Sequence, residues 1–316
     1  MIAFRLITIA ISLTLFVGCG ATVVWPTATV EDVVKFLDSG EDINAPHEKG
    51  ETLLHRAAAH SKNLEVVALL LDRGADVEAR NESGYTPLHF AAINSKRPEV
   101  LGLLIDRGAN IEARNKDGNT PLHFAAEASE TPEVIEVLLR RGADIEARGE
   151  GGLTPLHRAA GYSKTPEVVA VLLDAGADIK ARYPGGWTPL HQAAGLSDTP
   201  EVLELLIDRG ANIEVRARNG STPLHQAAAS SETPEVVALL IDRGANIEAR
   251  YAGAWTPLHQ AARYNKTSAI VEILLDKGAN TDVLNYDGQS PFDLIKENEH
   301  LQDTKAYWLL NEAQYQ

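Results

Sequence analysis

Residues 187–195 read WTPLHQAAG. The middle of that stretch, Thr-Pro-Leu-His-x-Ala-Ala, returns along the chain at a fixed distance. Its histidine, His191, has counterparts in His55, His89, His123, His157, His225 and His259, each 34 residues from the next. A period of this length marks a repeat array, in which each unit is too small to bury its own apolar face and leans on its neighbours. The frame divides the chain into units 51–84, 85–118, 119–152, 153–186, 187–220, 221–254 and 255–288. The 316 residues are therefore one array with flanks and not two ordinary globular domains.

Each unit spells two short helices. Thr188 can cap the first, and Pro189 suits its first position, where a missing N–H costs nothing. Ala193 and Ala194 are small enough for close packing. Thr199, Pro200 and Glu201 repeat the start signal, with the glutamate favoured by the helix dipole. Val202–Ile207 is apolar but for Glu204, as a helix buried between neighbours requires, and Gly210 suits the left-handed position that ends it. Outside the array, Thr29–Leu37 followed by Gly40 predicts a capping helix in a flank at 29–50. Residues 289–316 form a decayed closing unit in which Asp293 takes the place of the histidine. End units must offer water a polar face.

The pattern resembles the ankyrin repeat, marked by Thr-Pro-Leu-His, a Leu-rich second helix and Gly-Ala-Asp. The likeness covers about four-fifths of the chain, counting seven units. It departs in Leu53, which replaces the proline, and in a unit one residue longer than the usual ~33. The resemblance implies an all-α repeat solenoid, a stack of helix-turn-helix units joined by β-hairpin or loop fingers. It also implies that fingertips and first helices make a concave face that binds another protein, with the chain acting as a monomer.

The N-terminus carries a different signal. Arg5 is the sole charge in residues 1–20, followed by the apolar run Leu6–Val17, small Gly18 and Cys19. This is the layout of a secretory signal peptide at 1–18, followed by a linker at 19–28. FVGC at 16–19 resembles the lipobox of bacterial lipoproteins, although Phe16 stands where leucine is usual. That resemblance implies lipid attachment at Cys19, the only cysteine, and tethering in the bacterial cell envelope. Two alternatives remain open: a cleaved signal that releases a soluble secreted protein, and an uncleaved anchor over Leu6–Trp25, long enough to span a bilayer.

Composition narrows the function. A net charge of −15 disfavours nucleic acid, whose phosphates require clustered Lys and Arg. With one cysteine, the array has neither a disulfide nor a thiol nucleophile. Stacked helices lie about 8–10 Å apart, whereas ligands of one zinc lie about 2.0–2.1 Å from it. The seven histidines therefore cannot converge on a metal, and no unit pairs its histidine with a Ser or Cys nucleophile. The reading is scaffold: no enzyme, no metal, no cofactor. In ankyrin proteins this histidine hydrogen-bonds locally and helps join neighbouring repeats.

Most units end in Ile-Glu-Ala-Arg or a near relative, as at Glu146 and Arg148; Lys180 breaks the pattern and makes the middle of the array locally basic. Residues two apart share a face of an extended segment, so the expectation is a solvated salt-bridge ladder. If the frame is invariant, specificity must lie where units differ. Those positions gather the scarce aromatics: Tyr85, Trp187 and Trp255 just before the threonine, and Tyr183 and Tyr251 at the tips. Tyr162, Leu196, Arg263 and Tyr264 follow the Ala-Ala pair. Trp, Tyr and Arg dominate interface energies. These nine are the candidate partner-binding residues on the concave face; the competing reading is that the rings pad the fingers. Two further possibilities are a regulator or inhibitor of one envelope enzyme and an aromatic cleft for a glycan or peptide.

Overall fold

The computed structural model describes residues 15–17, 22–24, 27–94 and 96–314. Cys19, where lipid attachment is expected, lies outside them, as does most of the expected signal at 1–18. Residues 15–17 and 22–24 pair as two short antiparallel strands, β1 (Leu15–Val17) and β2 (Thr22–Val24), with Phe16 opposite Val23. Among the described residues, no helix is long and apolar enough to cross a membrane.

The rest is an all-α repeat solenoid of short helices. The chain forms two compact units, 1–116 and 117–316. In the first, α1 (Val30–Asp38) precedes the pairs α2 (Leu53–His60) with α3 (Leu64–Asp72) and α4 (Pro87–Asn94) with α5 (Pro98–Asp106). The second holds five pairs. They are α6 (Pro121–Ala128) with α7 (Pro132–Arg140), α8 (Pro155–Tyr162) with α9 (Pro166–Asp174), and α10 (Pro189–Leu196) with α11 (Pro200–Asp208). Then come α12 (Pro223–Ser230) with α13 (Pro234–Asp242), and α14 (Pro257–Tyr264) with α15 (Ser268–Asp276). Helices α16 (Pro291–Ile295) and α17 (Lys305–Ala313) close it.

Helices of eight or nine residues are marginal alone, so caps and packing must hold them. In α10, Thr188 caps and Pro189 opens the helix. In α11, Gly210 at φ +93° ends it: its N–H bonds to the Ile207 carbonyl and that of Ala211 to the Leu206 carbonyl. That pairing satisfies two of the last carbonyls. Within each unit, first helices pack on first helices, and second on second, giving two layers. Between them Leu190, Ala193, Val202, Leu203 and Leu206 are 0–1 % exposed. Burying a side chain such as Leu206 stabilises by about 1.5–3 kcal/mol.

The fingers are tight turns rather than the hairpins named as one option above. In the finger at 183–187, the Tyr183 N–H bonds to the Trp187 carbonyl and the Gly186 N–H to the Tyr183 carbonyl. Its next neighbour joins it through the Arg218 N–H on the Gly185 carbonyl, at 2.8 Å. No strand is assigned to a finger among the described residues. A turn of this length reverses the chain before a ladder can form.

Candidate partner-binding surface

The recurring histidines hold the frame. The Thr188 backbone N–H donates to His191 Nδ1 at 3.2 Å, and the Thr188 hydroxyl sits 2.9 Å from the same nitrogen. A backbone N–H can only donate, so Nδ1 carries no proton and the neutral ring bears its hydrogen on Nε2. Nε2 donates to the Ser221 carbonyl of the next repeat, at 3.1 Å. The same bond runs from His55 to Tyr85, His123 to Leu153, His157 to Trp187, His225 to Trp255 and His259 to Gln289. Both ring nitrogens are thus committed to protein partners. Burial pushes His55, His157, His191 and His225 down to about 4, so the neutral ring is the form that fits. The acceptors are the residues that vary just before each threonine. The frame grips their backbone and leaves their side chains free to differ.

The Glu-Ala-Arg ladder departs from the expected ion pairs. Glu146 accepts from the Asp178 N–H at 2.7 Å, and Glu214 and Glu248 accept likewise from Asn246 and Asn280. Arg148 Nη1 donates to the carbonyls of Gly152 and, one repeat on, Arg182. Arg182 and Arg216 do the same toward Arg216 and Arg250. Each charge bonds the backbone of the next repeat and not its sequence neighbour. Such bonds are stronger than neutral ones and tie repeat to repeat.

The residue after each histidine carries structure that the pattern did not reveal. Arg158 is 5 % exposed, and its guanidinium reaches Glu127 at 3.1 Å and Glu150 at 2.9 Å. Arg56 pairs with Glu51 in the same way. Burial pushes the Glu51 and Glu127 carboxyls up, against the pull of their arginines. In later repeats this position holds glutamine: Gln192 and Gln260 are 7 and 8 % exposed. The signal available in the sequence was the alternation of Arg, Phe and Gln at one fixed position.

The candidate aromatics sit on this frame edge-on. Tyr85, in the first unit, is half-buried and meets His89 at 5.6 Å. In the second unit Tyr183 meets His157 at 5.3 Å, Trp187 meets His191 at 5.1 Å and Tyr251 meets His225 at 5.0 Å. Gln260 also donates to the Tyr251 hydroxyl. The Trp187 indole folds over its own fingertip: a Cβ at Gly185 would lie 2.7 Å from Nε1, which is why glycine precedes it. Trp255 lies over Gly253 in the same manner. These rings therefore pad the fingers with one face while remaining half-exposed. Trp255 and Tyr264 are brought together, stacked at 5.8 Å and 22°, and Tyr264 is 56 % exposed. Leu196 is 39 % exposed and leans over Gly161, beside half-buried Tyr162. Arg263 pairs with Glu297. Trp187 and Trp255 stand two repeats apart, with the 217–221 finger between them.

A solenoid whose recurring side chains are consumed in holding it, while the varying ones stay accessible, is a binding scaffold. The family model of ankyrin repeats matches residues 27–115, 94–183, 166–251 and 228–314, and the chain belongs to the ankyrin-repeat family. Solved structures agree. The ankyrin repeat domain of human ASB11 is 28 % identical at a TM-score of 0.59, covering 72 % of this chain and 98 % of that one. The ankyrin repeat domain of Bcl-3, a member of the IkappaB family, is 29 % identical at 0.50, covering 78 % and 95 %. No curated protein matches. Ankyrin repeat domains bind other proteins, and this chain is a scaffold of that kind.

Proposed function

We propose that this protein is exported, tethered in the cell envelope through lipid on Cys19, and binds a protein partner through the varying side chains of its second unit. The observation that carries the binding site is the stacked Trp255–Tyr264 pair, which leaves a 56 % exposed ring on a rigid helix. A preorganised aromatic contributes interface area at little entropic cost. The export reading rests on the charge, apolar run and lone cysteine of residues 1–20.

Cross-linking in the native envelope followed by mass spectrometry tests the binding site. The Trp187→Ala/Trp255→Ala/Tyr264→Ala variant, checked for unchanged thermal unfolding, should recover the partner at least about tenfold less than the parent. Equal recovery would remove these residues from the interface. A single stoichiometric enzyme as the partner would favour a regulatory role. Mass analysis of the mature N-terminus tests the tether, since an unmodified Cys19 or a cut elsewhere ends that part of the proposal.

A further inference from the structure

The second unit separates its cations into two populations. At the ends of the second helices they are neutralised: Arg209 pairs with Asp174 at 2.5 Å, Arg243 with Asp208 at 2.6 Å and Lys277 with Asp242 at 2.5 Å. On and just before the three fingers at 183–187, 217–221 and 251–255 the reverse holds. Lys180, Arg182, Arg216, Arg218 and Arg250 are all exposed. Among the described residues, none of the five has a carboxylate within 4.0 Å, while every cation of the other set does.

Two of these arginines are fixed in place. Arg182 Nη1 spends its protons on the Gly186 and Arg216 carbonyls, and Arg216 Nη1 on those of Gly220 and Arg250. A guanidinium carries five N–H donors, so each keeps Nε and Nη2 for a ligand. The aliphatic stem of Arg218 lies against the same turn. A Cβ at Gly186 would lie 3.1 Å from Arg218 Cγ and 3.3 Å from Arg182 Nη1. Like charges along one edge repel, and the nearest carboxylates in sequence, Glu214 and Glu248, are spent on the N–H groups of Asn246 and Asn280. An anionic ligand would relieve that repulsion.

We infer that this finger edge binds an acidic, extended polypeptide segment of the partner, an inference that rests on the protein-binding reading above. The spacing argues for a polypeptide. Arg182 and Arg216 are equivalent positions in adjacent repeats, about 8–10 Å apart, and an extended polyproline II segment rises about 3.1 Å per residue with every third side chain on one face. Carboxylates at every third residue therefore match successive guanidiniums, with Trp187 and Trp255 flanking the segment. Long polyanions and anionic membranes meet the repulsion of the whole chain, whereas a short acidic segment engages only the local field.

The probe is a fluorescently labelled synthetic peptide with glutamate at every third position, titrated into the intact protein at low and physiological salt. Expected results are saturable binding that weakens as salt rises, and at least about tenfold loss in Arg182→Glu/Arg218→Glu. Arg209→Ala, on the opposite population, should bind as the parent does. Circular dichroism and thermal unfolding confirm that each variant is folded. If the charge-reversed variant misfolds, Arg218→Gln alone should still weaken binding, because Arg218 makes no side-chain hydrogen bond among the described residues. No binding at low salt, equal binding in the folded Glu or Gln variants, or tighter binding to a DNA oligonucleotide or to anionic phospholipid vesicles would each overturn the inference. Envelope cross-linking separates the two claims. Loss of the partner in the aromatic variant with full recovery in Arg182→Glu/Arg218→Glu would leave the binding site standing and remove only its acidic ligand.

Discussion

His157 and Trp187 are thirty positions apart, joined by one hydrogen bond, and opposite in kind. The histidine recurs in every unit because both its ring nitrogens are spent on the fold. The tryptophan recurs only once more, at Trp255, because the frame needs only its carbonyl, while its indole merely pads the finger. Repetition in this chain therefore marks load on the frame, and departure from repetition marks freedom to be used. The finger at 217–221 makes the point from the other side. Ser221 stands where Trp187 and Trp255 do, and its carbonyl takes the same bond from His191.

Acid should break the frame first. His55, His157, His191 and His225 have folded values of about 4 against 6.5 unfolded. Their neutral form is the folded one, so the stability they contribute is complete above pH 6.5 and is lost as pH falls toward 4. Each histidine accounts for up to about 3 kcal/mol over that window. Urea midpoints measured from pH 7.5 downward should fall through it. A flat profile would show that the histidines do not carry the frame.

Removing Arg158 tests whether every varying position is free. It is not a recurring residue, yet Glu127 and Glu150 depend on it. Arg158→Leu should cost about 3–5 kcal/mol in urea unfolding, because it strands a partly buried carboxylate. Adding Glu127→Gln should recover most of that loss. If Arg158→Leu alone is silent, the buried cluster has no energetic role.

The smallest effect is a gain. Ala254 adopts φ +60° where the equivalent positions hold Gly186 and Gly220. A left-handed alanine carries a penalty of about 1–2 kcal/mol that glycine avoids. Ala254→Gly should raise stability by about 1 kcal/mol, the penalty less the added freedom of the unfolded chain. A loss in thermal unfolding would show that the Ala254 methyl, 4 % exposed, matters more by packing.

The stack itself was legible because a 34-residue period, Thr-Pro starts and Gly stops are local signals with fixed geometric meaning. What the pattern did not carry was the choice of partner. Glu146 and Arg148 stand two apart and read as a pair, but each finds a backbone group of the next repeat. That choice depends on how far one repeat is displaced against the next. Arg158 escaped notice for a similar reason: a long polar side chain after the histidine reads as exposed until Glu127 and Glu150 are placed beside it. The aromatics were found, but their double role was not. Trp187 both covers Gly185 and offers an accessible face.

One crossed measurement tests the division between frame and face most directly. His191→Ala and the Trp187→Ala/Trp255→Ala/Tyr264→Ala variant should be compared for both urea stability and partner recovery, under conditions where each is folded. His191→Ala should lose about 3 kcal/mol, since it orphans the Thr188 N–H and the Ser221 carbonyl, yet still recover the partner. The triple variant should keep the parent's thermal unfolding and lose the partner. The reverse outcome, a silent histidine and an undiminished partner in the aromatic variant, would contradict it.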